Sequence, residues 1–213
     1  MSTGVVADVF GPMVSASVVE EAVIMTLKKW FPTYLAEEAR QLAISPNLLP
    51  QPQNYTNRNS FDAEKGEQIP KVVVLTPGLA GPPRRDGYGI YSASWRVGVG
   101  VATAAKDEEL ANKMVKAYGA AGREIVLDKV RREAADNTGI TITGVEWLEE
   151  NYEDLPLPSQ LMLYKAAGIF FAIDVANVAS RGGGPDQPMT TAPPDFGQVE
   201  TVFIDLEQEV ITE

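Results

Sequence analysis

The clearest pattern in the sequence is a strict alternation of apolar and small or polar residues over positions 90–102. The residues on its apolar side are Tyr91, Ala93, Trp95, Val97, Val99 and Val101. Because successive side chains of a strand point to opposite faces, this alternation predicts a strand with one face on a core. A similar pattern predicts a strand over 161–178, and shorter apolar stretches at 72–75, 140–147 and 199–209 predict further strands.

Apolar residues at four-residue spacing predict a first helix over 15–43. They are Val19, Val23, Leu27 and Phe31. Ser17, followed three residues later by Glu20, predicts a capping box at the start of this helix. Pro32 lacks a backbone N–H, so it predicts a kink or a restart.

The pattern over 107–135 predicts a second, longer helix. Its apolar stripe consists of Leu110, Met114, Tyr118, Ala121 and Ile125. Acidic residues occupy the first turn and basic residues the last, as the helix dipole favours. Gly119 and Gly122 lower the helix propensity, so we expect them to admit a closely packed strand or helix.

Two Pro/Gly-rich excursions interrupt these elements, at 44–70 and at 180–197. Shorter loops are predicted at 77–89 and at 149–158. The order of helices and strands predicts an α+β fold, with two main helices packed on one face of a mostly antiparallel sheet and long Pro/Gly-rich loops. We expect residues 1–213 to form a single domain.

The composition removes most catalytic chemistry. The 213 residues include no cysteine and no histidine, which excludes disulfides, thiolate or histidine metal sites and histidine-based triads. The net charge of −11 disfavours general nucleic-acid binding. No apolar run approaches the length of about 20 residues that spans a bilayer. We therefore expect no cofactor and no membrane partner.

Two clusters of residues resemble ligand-binding sites, but the sequence favours an explanation for each that involves no ligand. Gly182, Gly183 and Gly184 lack the lysine and the helix that a phosphate loop requires, so they predict a flexible linker. The acidic cluster consists of Glu146, Glu149, Glu150, Glu153 and Asp154. It lacks the spacing of a calcium loop, so a solvated acidic rim is favoured over a metal site or a glycosidase pair.

A small basic site at Arg84 and Arg85 stands apart from the acidic cluster. It predicts either a plain surface loop or a contact with DNA or an acidic partner. The long excursions favour contacts between subunits, since ordering them alone is costly in entropy. The candidate interface residues are Arg84, Arg85, Glu149, Glu150 and Glu153.

Three stretches resemble the tail terminator (tail-completion) proteins of long-tailed siphophages, those of actinobacterial phages above all. They are the opening residues 5–12 (VVADVFGP), residues 28–35 (KKWFPTYL), and the strand-then-helix block 91–129. The resemblance is one of pattern and order across the core.

The resemblance implies a homo-hexameric ring at the tail–neck junction of a virion, made in the host cytoplasm. Such a ring caps the tail tube, stops its polymerisation and joins it to a head-completion (stopper) protein. DNA passes through the lumen without specific binding, and no catalytic residues are implied. The alternatives are another neck or head-closure protein, a tail-tube subunit, a carboxylate-dependent enzyme, or a small adaptor.

Overall fold

The computed structural model describes residues 14–58, 69–87, 90–155 and 162–180. All of them fall within one compact unit, Met1–Gly182, and the remainder, Gly183–Glu213, lies outside the described residues. The predicted strand at 199–209, the triple glycine and nearly all of the 180–197 excursion therefore lie outside as well. The prediction of a single domain over the whole chain stays a prediction.

The described chain folds into an α+β arrangement of helices and one six-stranded sheet, as predicted. The helical elements are α1 (Ala16–Gln41), a 3-10 turn (Pro46–Leu48), α2 (Glu108–Ile125), a π-helical turn (Val126–Val130) and α3 (Arg131–Thr138). The strands are β1 (Asn54–Thr56), β2 (Lys71–Leu79), β3 (Arg84–Gly87), β4 (Ile90–Ala105), β5 (Thr141–Asp154) and β6 (Leu163–Ser180).

The sheet has the order β1-β2-β4-β6-β5, and β3 pairs with β4 on the same side as β2. Among the strands that the structure describes, the short β1–β2 pair is parallel and the others are antiparallel, so the sheet is mixed but mainly antiparallel. The long pairing of β4 with β6 aligns Val99 with Ile169 and Gly100 with Gly168 at its centre. Within the described residues β5 pairs with β6 alone, which makes it an edge strand.

The core is a single cluster of apolar side chains from the helices and from alternate strand positions. Val97, Val99 and Val101 of β4 are fully buried in it, which confirms the face predicted from the alternation. Phe31 of α1 lies between the rings of Tyr55 and Tyr118, with centroids 6.3 Å and 6.4 Å away. Burial of this apolar surface provides the main stabilisation of the fold.

The start of α1 differs from the prediction. The N-cap residue is Ser15, with no side-chain capping bond, so the capping box at Ser17 was wrong. Glu20 is instead 9% exposed. Its carboxylate accepts hydrogen bonds from the Thr76 backbone N–H at 2.7 Å and from Asn57 Nδ2 at 3.3 Å. A buried carboxylate needs such donors, and these tie α1 to β2.

Three predicted interruptions are regular structure. Pro32 lies inside α1, which continues to Gln41 without a restart. The predicted loop at 77–89 contains the end of β2 and all of β3. The predicted acidic loop at 149–158 is strand up to Asp154, because its backbone pairs with β6 from Lys165 to Phe170. The ladder hydrogen bonds outweigh the weak strand propensity of glutamate and aspartate.

The glycines of α2 admit close neighbours, as predicted. A Cβ at Gly119 would lie 3.0 Å from Tyr152 Oη, and one at Gly122 would lie 3.4 Å from Ile169 Cδ1. The helix therefore approaches β5 at the first position and β6 at the second. The N-cap residue of α2, Asp107, accepts a hydrogen bond from the Leu110 N–H at 2.8 Å.

Candidate interaction surface

The acidic residues of β5 point to two different faces of the sheet. Directly paired residues of antiparallel strands share a face, and Glu149 pairs with Phe170 whereas Glu150 pairs with Ile169. Ile169 is a buried core residue. Glu150 therefore lies on the core face, while Glu149 and Glu153 lie on the opposite face, which we call the groove face.

Glu150 is engaged within the chain. Its side chain is 8% exposed and forms an ion pair with Arg123 of α2, with Nη1 and Oε2 2.7 Å apart. It also accepts a hydrogen bond from the Tyr152 hydroxyl, and burial together with this bond raises the pKa of Tyr152. The Arg123 guanidinium lies 4.9 Å from the ring centre of Trp147. This cluster joins α2 to β5, which removes Glu150 from the candidate interface residues.

Glu149 and Glu153 remain exposed on the groove face. Glu149 lies 3.6 Å from Arg96, a contact between two half-exposed side chains that contributes little stability. The Arg96 guanidinium also lies 5.3 Å from the ring centre of Phe170. Glu153 makes no ion pair with the described part of the chain.

A shallow apolar groove of about 340 Å³ runs along the groove face beside these carboxylates. Its floor contains Gly98, Gly100 and Gly168, and Phe170 and Leu75 stand at its sides. Of these three glycines Gly100 leaves open space, since a Cβ there would have no neighbour closer than 3.8 Å, whereas the Phe170 ring covers Gly98 and the Asn151 side chain covers Gly168. Since Glu149 pairs with Phe170 and Glu153 with Ala166, the two carboxylates flank the groove along β5.

The basic site lies at the other side of the sheet. Arg84 and Arg85 belong to β3 and are exposed, after the exposed Pro82 and Pro83. Neither arginine forms an ion pair with any residue that the structure describes. The sheet thus carries exposed arginines at β3, with Asp86 and Asp174 near Arg84, and exposed carboxylates along β5. The predicted interface residues do not form one cluster.

Two of the site types considered from the sequence, a metal site and a glycosidase pair, can be compared with the described residues. No group of three or more Asp or Glu side chains there is placed to hold a metal ion. Glu149 and Glu150 lie on opposite faces, so they cannot act together on one substrate as a glycosidase pair does. No helix of the described chain has both the length and the apolarity needed to cross a bilayer.

The groove was missed by the sequence reasoning, although a signal was present. The alternation over β4 predicts which face is buried, but it does not predict what the opposite face contacts. Two of those positions, Gly98 and Gly100, are glycine, which weakens a strand and often marks a close approach of another chain. The third floor residue, Gly168, comes next to Gly100 only through the register of β4 and β6.

Comparisons with known proteins find a likeness among solved structures. No known protein family matches the sequence, and no curated protein matches it. The chain is similar to a chain in a solved structure described as the virion of a native gene transfer agent particle. The two are 15% identical, the match covers 68% of this chain and 93% of that chain, and the TM-score is 0.35.

Proposed function

We propose that this protein is a structural virion protein, a tail terminator whose ring caps the tail tube and joins it to the head-neck complex. In this role it stops polymerisation of the tube protein on one side and presents a surface to a head-completion protein on the other. It acts at the tail–neck junction, is made in the host cytoplasm, and has no enzymatic activity.

The observation that carries the proposal is the placement of opposite charges on the sheet. Arg84 and Arg85 on β3 lie at a different place from Glu149 and Glu153 on β5. Two such unlike surfaces favour head-to-tail contacts between copies, and head-to-tail contacts form rings when the rotation closes. A homo-hexamer is the ring we propose.

The charge of the chain supports a passive role toward DNA. At −11 the protein repels a nucleic acid, so DNA slides through a lumen without being held there. The resemblance to tail terminators in residues 28–35 and 91–129 supports this assignment over that of a general adaptor.

Deletion of the gene from the virus or particle-producing strain that encodes it tests the proposal directly. We expect electron micrographs to show tails of abnormal length that are not joined to heads, and expression of the protein in trans to restore joined tails of uniform length. Tails of normal length, joined to heads, in the deletion strain would refute the terminator role.

A tail-tube subunit or another neck protein is the alternative structural role. Native mass spectrometry across a concentration series separates these roles, because a terminator forms a closed ring and no larger species. Open-ended polymers that lengthen with concentration would favour the tube subunit. A ring whose deletion leaves tail length normal but heads open would favour a head-closure protein.

A carboxylate-dependent enzyme that uses Glu146, Glu149 or Glu150 is the remaining alternative, and the opposite orientations of Glu149 and Glu150 argue against a site in which these two act as a pair. The double variant Glu149→Gln, Glu150→Gln tests it. An enzyme depending on these residues would lose its activity, whereas the terminator role predicts that tails are still joined to heads if the variant folds.

A further inference from the structure

We propose that the groove on this sheet is the receiving site for a second copy of the same chain. The segment that occupies it is residues 80–85 of the neighbour, which are the β2–β3 loop and the first two residues of β3. Its Pro82 and Pro83 lie on the apolar floor, and Arg84 and Arg85, which leave β3 on opposite faces, bring positive charge beside Glu149 and Glu153. This inference rests on the self-association in the proposed function and names the surfaces that carry it.

The receiving surface is apolar in its floor and acidic along one side. Gly100 leaves backbone atoms open to the groove, and the Phe170 ring, which covers Gly98, lines it. An apolar groove of this kind gains free energy when an apolar segment displaces its water. The carboxylates on β5 then select a segment that also carries positive charge.

The inserted surface has the matching composition. The sequence from Ala80 reads Ala-Gly-Pro-Pro-Arg-Arg, and Pro82, Pro83, Arg84 and Arg85 are all exposed. Leu79, just before the loop, is 41% exposed. Prolines restrict the backbone in the free chain, so less conformational entropy is lost when the loop binds.

Residues 80–85 do not line the groove of their own chain. Arg84 and Arg85 pair with Ser92 and Tyr91 of β4, whereas the β4 residues that line the groove are Gly98 to Ala102. The contact that we propose therefore forms between copies.

The C-terminal residues of the chain fit the groove less well than the arginine-bearing segment, because their charge is negative. Residues 195–213 contain six acidic residues and no lysine or arginine: Asp195, Glu200, Asp205, Glu207, Glu209 and Glu213. Beside Glu149 and Glu153 such a segment meets like charges, which disfavour the contact. The arginine-bearing loop meets opposite charges at the same place.

Because the loop and the groove lie at different places on the chain, each copy can bind one neighbour through its loop and another through its groove. The contact is heterologous, and successive copies form a ring if the angle closes. The charges place the contact under salt control, since exposed ion pairs are screened as ionic strength rises.

The test measures the oligomeric state of the full-length protein by native mass spectrometry and light scattering, at low and at moderate salt. We expect the variant Arg84→Glu, Arg85→Glu to weaken association about tenfold, and Gly100→Leu to weaken it by filling the groove. A Cβ at Gly100 has no neighbour closer than 3.8 Å, so the chain should tolerate that substitution. Unchanged thermal melting of each variant checks the fold.

The matched control reverses another adjacent arginine pair, Arg131 and Arg132, which are exposed on α3. The control should associate like the natural protein. A sharper test mixes Arg84→Glu, Arg85→Glu with Glu149→Arg, Glu153→Arg. Each variant repels itself but complements the other, so only the mixture should form oligomers, with the two chains in equal number.

Three results would overturn the inference. They are a natural protein that is monomeric at every concentration, loop and groove variants that associate normally, and a mixture that fails to restore oligomers. If the loop and groove variants associate normally, the proposed ring is unaffected and only the proposed loop–groove contact is refuted. The effect of the gene deletion on tail length tests the terminator role separately.

Discussion

Arg123 Nη1 donates a hydrogen bond to Glu150 Oε2 at 2.7 Å, which connects helix α2 with the edge strand β5. The side chains are 24% and 8% exposed, so this pair is shielded from water far more than the other carboxylates of β5. A glutamate assigned to an interface from the sequence is thus part of the internal packing. The partners that remain available to another chain are Glu149 and Glu153.

The variant Arg123→Met should destabilise the fold because it leaves the Glu150 carboxylate buried without its cation. We expect a loss of about 2 kcal/mol in the free energy of unfolding, measured by urea denaturation. The double variant Arg123→Met, Glu150→Met should recover part of this loss. The control Arg40→Met removes an exposed ion pair with Glu37. It should leave the urea concentration at the unfolding midpoint unchanged. An equal loss of stability in Arg123→Met and Arg40→Met would contradict the conclusion that the Arg123–Glu150 pair is part of the internal packing.

The two glycines of α2 should respond differently to alanine. At Gly122 the new Cβ would lie at ordinary contact distance, 3.4 Å from Ile169 Cδ1 and 3.7 Å from Phe31 Cζ. Gly122→Ala should therefore stabilise the protein by up to about 1 kcal/mol through helix propensity.

Gly119→Ala is the matched comparison, since it makes the same substitution three residues earlier. Its Cβ would lie 3.0 Å from Tyr152 Oη and 3.3 Å from Glu150 Oε1, so the hydroxyl and carboxylate have to shift. We expect a smaller gain or a net loss, read from the thermal midpoint. A larger gain at Gly119 than at Gly122 would be inconsistent with this packing.

Phe31 should be the most costly helix residue to truncate. It is fully buried and contacts the rings of Tyr55 and Tyr118. Phe31→Ala should cost about 3–5 kcal/mol, because lost burial and a new cavity add. Met25 on the same helix is 39% exposed, and Met25→Ala should change stability by less than about 0.5 kcal/mol. Chemical denaturation of both variants makes the comparison.

Alkaline pH should weaken the fold partly through Tyr34. Burial, followed by its hydrogen bond to Asp128, raises the pKa of Tyr34 from 10.0 to about 12. Between these values the unfolded chain releases the proton while the folded chain keeps it, so stability falls as pH rises from 10 towards 12. Denaturation at several pH values should show a shallower fall for Tyr34→Phe. An identical slope in the variant would remove Tyr34 as the cause.

The regular alternation of β4 and β6 allowed both strands and their buried faces to be predicted. Val97, Val99 and Ile169 lie in the core as expected. In a strand, apolar residues at every second position mark the face that is buried, and this pattern can be seen in the sequence alone. The acidic first turn of α2 was equally visible, and Asp107, predicted to lie in that turn, is the N-cap residue just before it. These features depend on residues that are close in sequence.

The acidic stretch at 149–154 was mistaken for a loop because glutamate and aspartate favour strands weakly. Its conformation is fixed by the partner strand β6, which supplies the backbone hydrogen bonds at Gly168, Ala167 and Ala166. The same applies to Arg84 and Arg85, whose strand exists through its pairing with Tyr91 and Ser92 of β4. Such pairings join distant parts of the chain, so local propensity does not reveal them.

The sequence by itself determined the α+β class, the apolar faces of the long strands, and the lack of cysteine and histidine chemistry. Only the tertiary structure decided that Glu150 is buried against Arg123 while Glu149 and Glu153 flank an apolar groove. The physical reason is register. A strand turns each neighbouring residue to the opposite face, and only its pairing with β6 determines which glutamates meet the core and which meet Ala166 and Phe170.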